Sequence, residues 1–112
     1  MPSTYPAMDE ILVLAGLEDT DTNRQQLAIF LDAMHIFQER NAKYGDLWKE
    51  YGWRGNLLHV QSKAARVRKV WWDGKDPFGH NEDCDDAYDL INYTAFFIRN
   101  VGEDNELGTS SR

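Results

Sequence analysis

The chain contains one cysteine, Cys84, so no intramolecular disulfide is available to hold its fold. That fits a reducing compartment. Cys84 lies among carboxylates, which disfavour a thiolate and hence a nucleophilic role. No apolar run approaches the roughly 18 residues that a bilayer span requires. The N-terminus, Met1-Pro2-Ser3-Thr4-Tyr5, lacks the basic and apolar regions of a signal peptide. These absences lead us to expect a soluble, cytoplasmic protein without a membrane partner. Positive charge is also scarce. A net charge of −7 argues against a broad nucleic-acid surface. The basic residues that exist are concentrated in Arg54, Lys63, Arg66, Arg68, Lys69 and Lys75, ahead of an acidic block that opens at Asp76.

Several catalytic frameworks are missing too. There is no Gly-x-x-x-x-Gly-Lys loop and no Gly-x-Gly-x-x-Gly turn to cradle phosphates. His35, His59 and His80 are scattered, and with one cysteine they form no zinc pattern. Ser62 has no nucleophile elbow around it. No segment alternates apolar and polar residues long enough to read as a strand.

What remains is helical. The chain has 112 residues, 42% of them hydrophobic, which suits one folded domain with one core. A short helix is expected over residues 8–17. A second, capped by Asp21 or Thr22, runs to about Ala42 with Leu27, Phe30, Leu31, Met34 and Phe37 on its apolar face, widened by Ile29, Ala33 and Ile36. An aromatic and glycine-rich connection follows over 41–56, with room for a helical turn over 46–51. A third helix is expected over 56–72, burying Leu57, Val60, Ala64, Val67 and Trp71. Gly74 and Pro77 then break the chain. The fourth helix is expected over 82–101, followed by a polar, fraying tail over 102–112. The fold class is all-α, a bundle of three long helices and a short N-terminal one, ordered over 8–101. Three long helices give a limited core for so many aromatics, so a homo-oligomer is expected.

Three constellations carry chemistry. The first is the acidic helix Glu82-Asp83-Cys84-Asp85-Asp86-Ala87-Tyr88-Asp89-Leu90-Ile91-Asn92. Carboxylates at a helix start complement its dipole, which accounts for Glu82, Asp83 and Asp85. Asp89 and Asn92 lie deeper, in an apolar stripe, and a carboxylate there needs a partner. Glu82, Asp86 and Asp89 share one side and could bind magnesium; the alternative partner is an Arg or Lys from the third helix. Asp89, with Asp86, is the candidate to activate water if there is turnover. The second is Lys63 with Arg66 on one helical face, suited either to phosphate or to pairing with the aspartates. His59 lies one turn before Lys63, where a lone histidine is more often structural. The third is the run Arg40-Asn41-Ala42-Lys43-Tyr44-Gly45-Asp46-Leu47-Trp48. Asn41 offers a donor and an acceptor to a base edge. Tyr44 and Trp48 either stack a base or close the end of the bundle.

Together these segments resemble a known family. The run Ile36-Phe37-Gln38-Glu39-Arg40-Asn41-Ala42-Lys43-Tyr44-Gly45-Asp46-Leu47-Trp48 looks like the Lys-Asn-x-Asp-Tyr-Gly-x-x-Trp opening of the phage and bacterial nucleotide-modification-associated domain 1 family. Ser62-Lys63-Ala64-Ala65-Arg66-Val67 resembles that family's Lys-x-x-Arg helix. Asp85-Asp86-Ala87-Tyr88-Asp89-Leu90-Ile91-Asn92-Tyr93-Thr94 resembles its Asp-x-x-Asp-x-x-Asn-Tyr helix. The resemblance covers 36–101. More distantly, the arrangement is similar to MazG-like all-α nucleotide pyrophosphohydrolases, which hold magnesium with a Glu-Glu-x-x-Glu helix and a Glu-x-x-Asp helix. Glu82, Asp86 and Asp89 match the second helix. The first is replaced by His59-Val60-Gln61-Ser62-Lys63-Ala64-Ala65-Arg66, which has no glutamate. The resemblance therefore implies a phage-type nucleotide-binding protein, with Lys63 and Arg66 on phosphate, Asn41, Tyr44, Trp48 and Asn92 around the nucleotide, and magnesium-dependent hydrolysis as one outcome. The missing glutamates leave two others: a non-hydrolytic protein that sequesters a nucleotide against host defence, and a subunit that docks a protein.

Overall fold

The computed structural model describes residues 3–75 and 84–106, and all regular structure among them is helical. The elements are α1 (Met8–Leu14), α2 (Asp21–Tyr44), α3 (Leu47–Glu50), α4 (Gly52–Val67), which continues into a π-helical turn (Arg68–Trp72), and α5 (Asp85–Glu106). No helix among the described residues is long and apolar enough to cross a membrane.

Local chemistry sets the boundaries. α1 stops because Gly16 adopts a left-handed conformation, φ 75°. The Gly16 amide then donates to the Val13 carbonyl at 3.0 Å and the Leu17 amide to the Leu12 carbonyl at 2.8 Å, a Schellman closure that satisfies two terminal acceptors. α2 is capped by Thr20 rather than by Asp21 or Thr22. The Thr20 hydroxyl accepts from the Asn23 amide at 3.1 Å, and Asn23 Nδ2 donates to the Glu18 carbonyl at 2.8 Å. At the other end the Gly45 amide closes on the Asn41 carbonyl at 2.8 Å. The expected turn over 46–51 is α3. The third long helix begins at Gly52, earlier than Asn56, because Gly52 takes a positive φ of 67° and redirects the chain out of α3. α5 runs past Val101 to Glu106, so helix replaces the first part of the expected tail.

α5 packs most extensively on α4 and also on α2, while α3 touches both α4 and α5. α4 and α5 are antiparallel, since Asn56 near the start of α4 meets Asn100 near the end of α5, and Arg66 meets Asp86 at the opposite ends. Asn92 Nδ2 donates to the Ala33 carbonyl at 3.0 Å and ties α5 to α2. α1 covers the first turns of α2, with Met8, Leu12 and Ala28 buried against Tyr5, Leu27 and Leu31. A strap ahead of α1 is fastened to Asp32, which accepts from the Ser3 amide at 3.0 Å and the Tyr5 hydroxyl at 2.5 Å. Tyr88 of α5 reaches the same carboxylate at 3.4 Å.

The interior is unusually polar. Asn56 is fully buried, and Asp86, Asp89 and Asn100 are nearly so. This corrects the expected face of the third helix. The inward positions of α4 carry Asn56, His59, Val60, Lys63, Arg66 and Val67, with Val70 following in the π turn, whereas Leu57, Ala64 and Trp71 face outward. The polar side chains are inside because they find partners on α5. Phe30 and Met34 of α2, also expected to be buried, lie on the surface.

Candidate functional site

A groove of about 460 Å³ opens where α2, α3, α4 and α5 meet. Its sequence origin is the aromatic connection, which turns the chain from the end of α2 through α3 into α4. Phe37, Arg40, Asn41 and Tyr44 come from α2, Trp48 from α3, Tyr51 and Lys63 from the α4 side, and Asp89, Asn92, Tyr93 and Phe96 from α5. Seven of the expected residues thus meet in or beside one groove: Asn41, Tyr44, Trp48, Lys63, Asp89 and Asn92 line it, and Asp86 lies next to it through Lys63. Glu82 lies outside the described residues.

The charged end is a chain of ion pairs. Asp89 Oδ1 accepts from Arg40 Nη1, and Asp89 Oδ2 lies 3.1 Å from Lys63 Nζ. Lys63 also lies 3.3 Å from Asp86 Oδ1, and Arg66 Nε donates to Asp86 Oδ2 at 2.8 Å. Each of the four aspartate oxygens therefore has a cation. Burial alone would raise the Asp86 pKa, but Arg66 and Lys63 outweigh it and hold the carboxyl below its usual range. Burial alone would lower the Lys63 pKa, but Asp89 and Asp86 outweigh it and hold the ammonium above its usual value. The network itself holds three cations, Arg40, Lys63 and Arg66, and two anions, Asp86 and Asp89.

Magnesium takes oxygen ligands, usually one or two carboxylates with water and substrate phosphate. Asp86 and Asp89 offer it no carboxylate oxygen free of a cation, and no cluster of three or more acidic, histidine or cysteine side chains forms among the described residues. Both described aspartates are thus engaged by basic side chains, and Glu82, the third residue expected to hold magnesium, lies outside the described residues. Of the two partners open to Asp89 in the sequence, the structure supplies basic residues, Lys63 of the third helix and Arg40 of the second. Asn92 is likewise occupied, with its amide on the Ala33 carbonyl.

The aromatic end divides into wall and opening. Trp48 is only 5% exposed. Phe96 stacks against its ring at 4.9 Å between centroids, and the Arg99 guanidinium lies 4.4 Å from its centroid. Of the two roles open to Trp48, it closes the end of the bundle, and its flat faces are taken. Its carbonyl accepts from Asn56 Nδ2 at 3.3 Å and from Asn100 Nδ2 at 3.2 Å, which fixes α3 to the ends of α4 and α5. Tyr44 and Tyr51 are the exposed rings. Two of the lining residues each carry a buried polar atom without a hydrogen-bond partner, Asn41 Oδ1 and Trp48 Nε1. A third such atom, His59 Nδ1, sits between Tyr51 and Tyr93.

Arg40 opened the run singled out in the sequence but was given no role there, and Tyr51 was not among the residues expected in the site. Arg40 directly precedes Asn41 and sits on the polar side of α2, so adjacency was its available signal. Tyr51 belongs to the same aromatic run as Tyr44 and Trp48. No family model, curated protein or solved structure matches the chain.

Proposed function

We propose that the chain is a nucleotide-binding protein that holds a nucleoside phosphate in this groove and does not hydrolyse it. The observation that carries the reading is the pairing of two features in one cavity. A buried acceptor, Asn41 Oδ1, and a buried donor, Trp48 Nε1, stand without partners among aromatic rings, and a cation-rich cluster stands at the other end. Unpaired buried polar atoms are costly, and a ligand edge that carries a donor or an acceptor offers such an atom a partner. Every nucleobase has such an edge, and the Tyr44 and Tyr51 rings offer it stacking surface. Arg40 and Lys63, aligned by Asp89, then meet the phosphate, Arg40 as a planar fork and Lys63 as a compact charge. The MazG-like order of motifs supports the same placement.

Binding without turnover is preferred because Asp89, the residue suited to activating water, is held between two cations. Both of its oxygens are already engaged, one by Arg40 and one by Lys63. Sequestration of a nucleotide, with the ligand released unchanged, is the activity this arrangement serves.

The test is incubation with a mixed pool of canonical and cyclic nucleotides, with and without magnesium, followed by mass spectrometry of free, bound and converted species. The expected result is an unchanged nucleotide retained on the protein in both conditions. Conversion to a monophosphate would replace binding by hydrolysis as the function. Retention of no nucleotide would remove the reading and favour the protein-docking alternative.

A further inference from the structure

Trp48 Nε1 and Asn41 Oδ1 are buried without partners in two residues that line the groove. A buried atom meets a ligand only after its surroundings move. The segment that carries Trp48 is built for such a movement. α3 is a single helical turn, Leu47–Glu50, standing between Gly45 and Gly52. Both glycines hold a positive φ, 68° and 67°. Gly45 combines its φ with a ψ of −162°, in a region that is essentially glycine's alone. A methyl group added to either glycine meets nothing within 4 Å. Backbone conformation, rather than crowding, is thus what calls for glycine on both sides of the turn.

We propose that α3 is a gate of the groove, hinged at Gly45 and Gly52, which swings away to uncover Trp48 Nε1 and Asn41 Oδ1 and closes over a bound ligand. The inference rests on the nucleotide-binding reading of the groove and adds how the ligand enters it. The turn is braced to move as one body. Lys49 Nζ lies 3.2 Å from the Asp46 carboxylate, and the Lys49 amide donates to the Asp46 carbonyl at 3.0 Å. The closed position has a latch: the Trp48 carbonyl is held by Asn56 and Asn100, and its ring lies against Phe96 and Arg99. These four partners belong to α4 and α5, which pack extensively on each other. The latch can therefore part while the helix pair behind it stays together. Leu47, Trp48 and Tyr51 all line the groove, so one swing widens its mouth.

The two unpartnered atoms set the balance of the gate. With the gate shut and the groove empty, a donor and an acceptor have lost water and gained no partner. With the gate open, water reaches them. A ligand that meets them in the groove removes the penalty of the shut state, and binding then shifts the population toward closure. A short turn between two hinges can open in this way without unfolding the long helices.

Hydrogen exchange of the full chain, followed by nuclear magnetic resonance, tests the gate before any ligand is added. The Trp48 indole proton is identified by its loss in Trp48→Phe. It is expected to exchange together with the amides of residues 47–51, and at least about 10-fold faster than the amides of Val60 and Tyr93 in the middle of α4 and α5, because local opening costs less than global unfolding. Gly45→Ala disfavours the closed hinge, and is expected to speed exchange over 47–51 while Val60 and Tyr93 keep their rates. Addition of the mixed pool of canonical and cyclic nucleotides is expected to slow the Trp48 indole proton and leave Val60 and Tyr93 little changed. A Trp48 indole proton that exchanges no faster than Val60 and Tyr93 in the free protein would overturn the gate. So would a nucleotide that is retained and leaves exchange over 47–51 as it was. Either result can stand beside intact nucleotide binding, and so strikes the gate alone. Retention of no nucleotide would overturn the binding reading, and with it the gate's purpose.

Discussion

Lys63 of α4 stands 3.1 Å from Asp89 of α5, and the same carboxylate is bonded to Arg40 of α2. One aspartate thus joins three helices and aims two cations at one groove. The proposed anion site and the packing of the bundle share that joint.

Removing either cation should weaken nucleotide binding. Hydrogen bonds to charged groups contribute about 1.5–3 kcal/mol, so Arg40→Ala and Lys63→Ala should each reduce affinity by roughly 10- to 100-fold. Arg40 is the cleaner probe, because its side chain is about half exposed and its loss disturbs the fold less. Calorimetric titration of both variants checks this. Affinity unchanged in both would mean that the phosphate is not held here.

Chelation should leave binding intact. Each aspartate oxygen already has a cation, so nucleotide affinity measured in excess chelator should match that in magnesium within a factor of about two, small against the tenfold that 1.4 kcal/mol represents. A large loss in chelator would show that metal enters the site with the ligand.

Stability should have a wide plateau in pH. Asp86 has a folded pKa below its usual 3.8, so its contribution is complete above that value and disappears as pH falls through the depressed one. Lys63 has a folded pKa above its usual 10.5, so its contribution is complete below that value and disappears as pH rises through the elevated one. Denaturant midpoints measured across pH should therefore fall at both extremes. Asp86→Asn should lower the plateau and flatten the acid limb. An acid limb of unchanged depth in that variant would assign it to other carboxylates.

The buried amide cluster should be sensitive to small changes. Asn100 Nδ2 donates both to the Trp48 carbonyl and to Asn56 Oδ1. Asn100→Leu leaves that carbonyl and the Asn56 side chain short of partners, at a cost of about 1–3 kcal/mol. Thermal unfolding should register a fall of several degrees, since 1 kcal/mol corresponds to about 4–8 °C in a small domain. An unchanged midpoint would show that α3 is held by other contacts.

The helical class and the short turn at α3 were legible in the sequence, and the meeting of Lys63 and Arg66 with the aspartates of α5 was one of the two readings it left open. Helical spacing and opposite charge were enough for these. The orientation of α4 was not. Hydrophobic periodicity takes apolar residues as the inner face, and on that rule Leu57, Ala64 and Trp71 turn inward. The chain instead places Asn56 and Lys63 inside, because Asn100, Asp86 and Asp89 satisfy them across the helix pair. Such a match between two helices has no signature within either one. Arg40 was hidden for the same reason: its place in the site depends on which turn of α2 meets Asp89. The Thr20 cap was missed by one or two residues, where three neighbouring side chains, Thr20, Asp21 and Thr22, could each serve.

The amides and carboxylates in the interior also have a thermal consequence. Heat capacity rises on unfolding because apolar surface becomes hydrated, and exposure of polar groups offsets that rise. With Asn56, Asp86, Asp89 and Asn100 buried where leucines are usual, the increment for this chain should fall below the ordinary 12–15 cal/mol/K per residue. Its stability then changes slowly between cold and heat, over a broad and shallow curve.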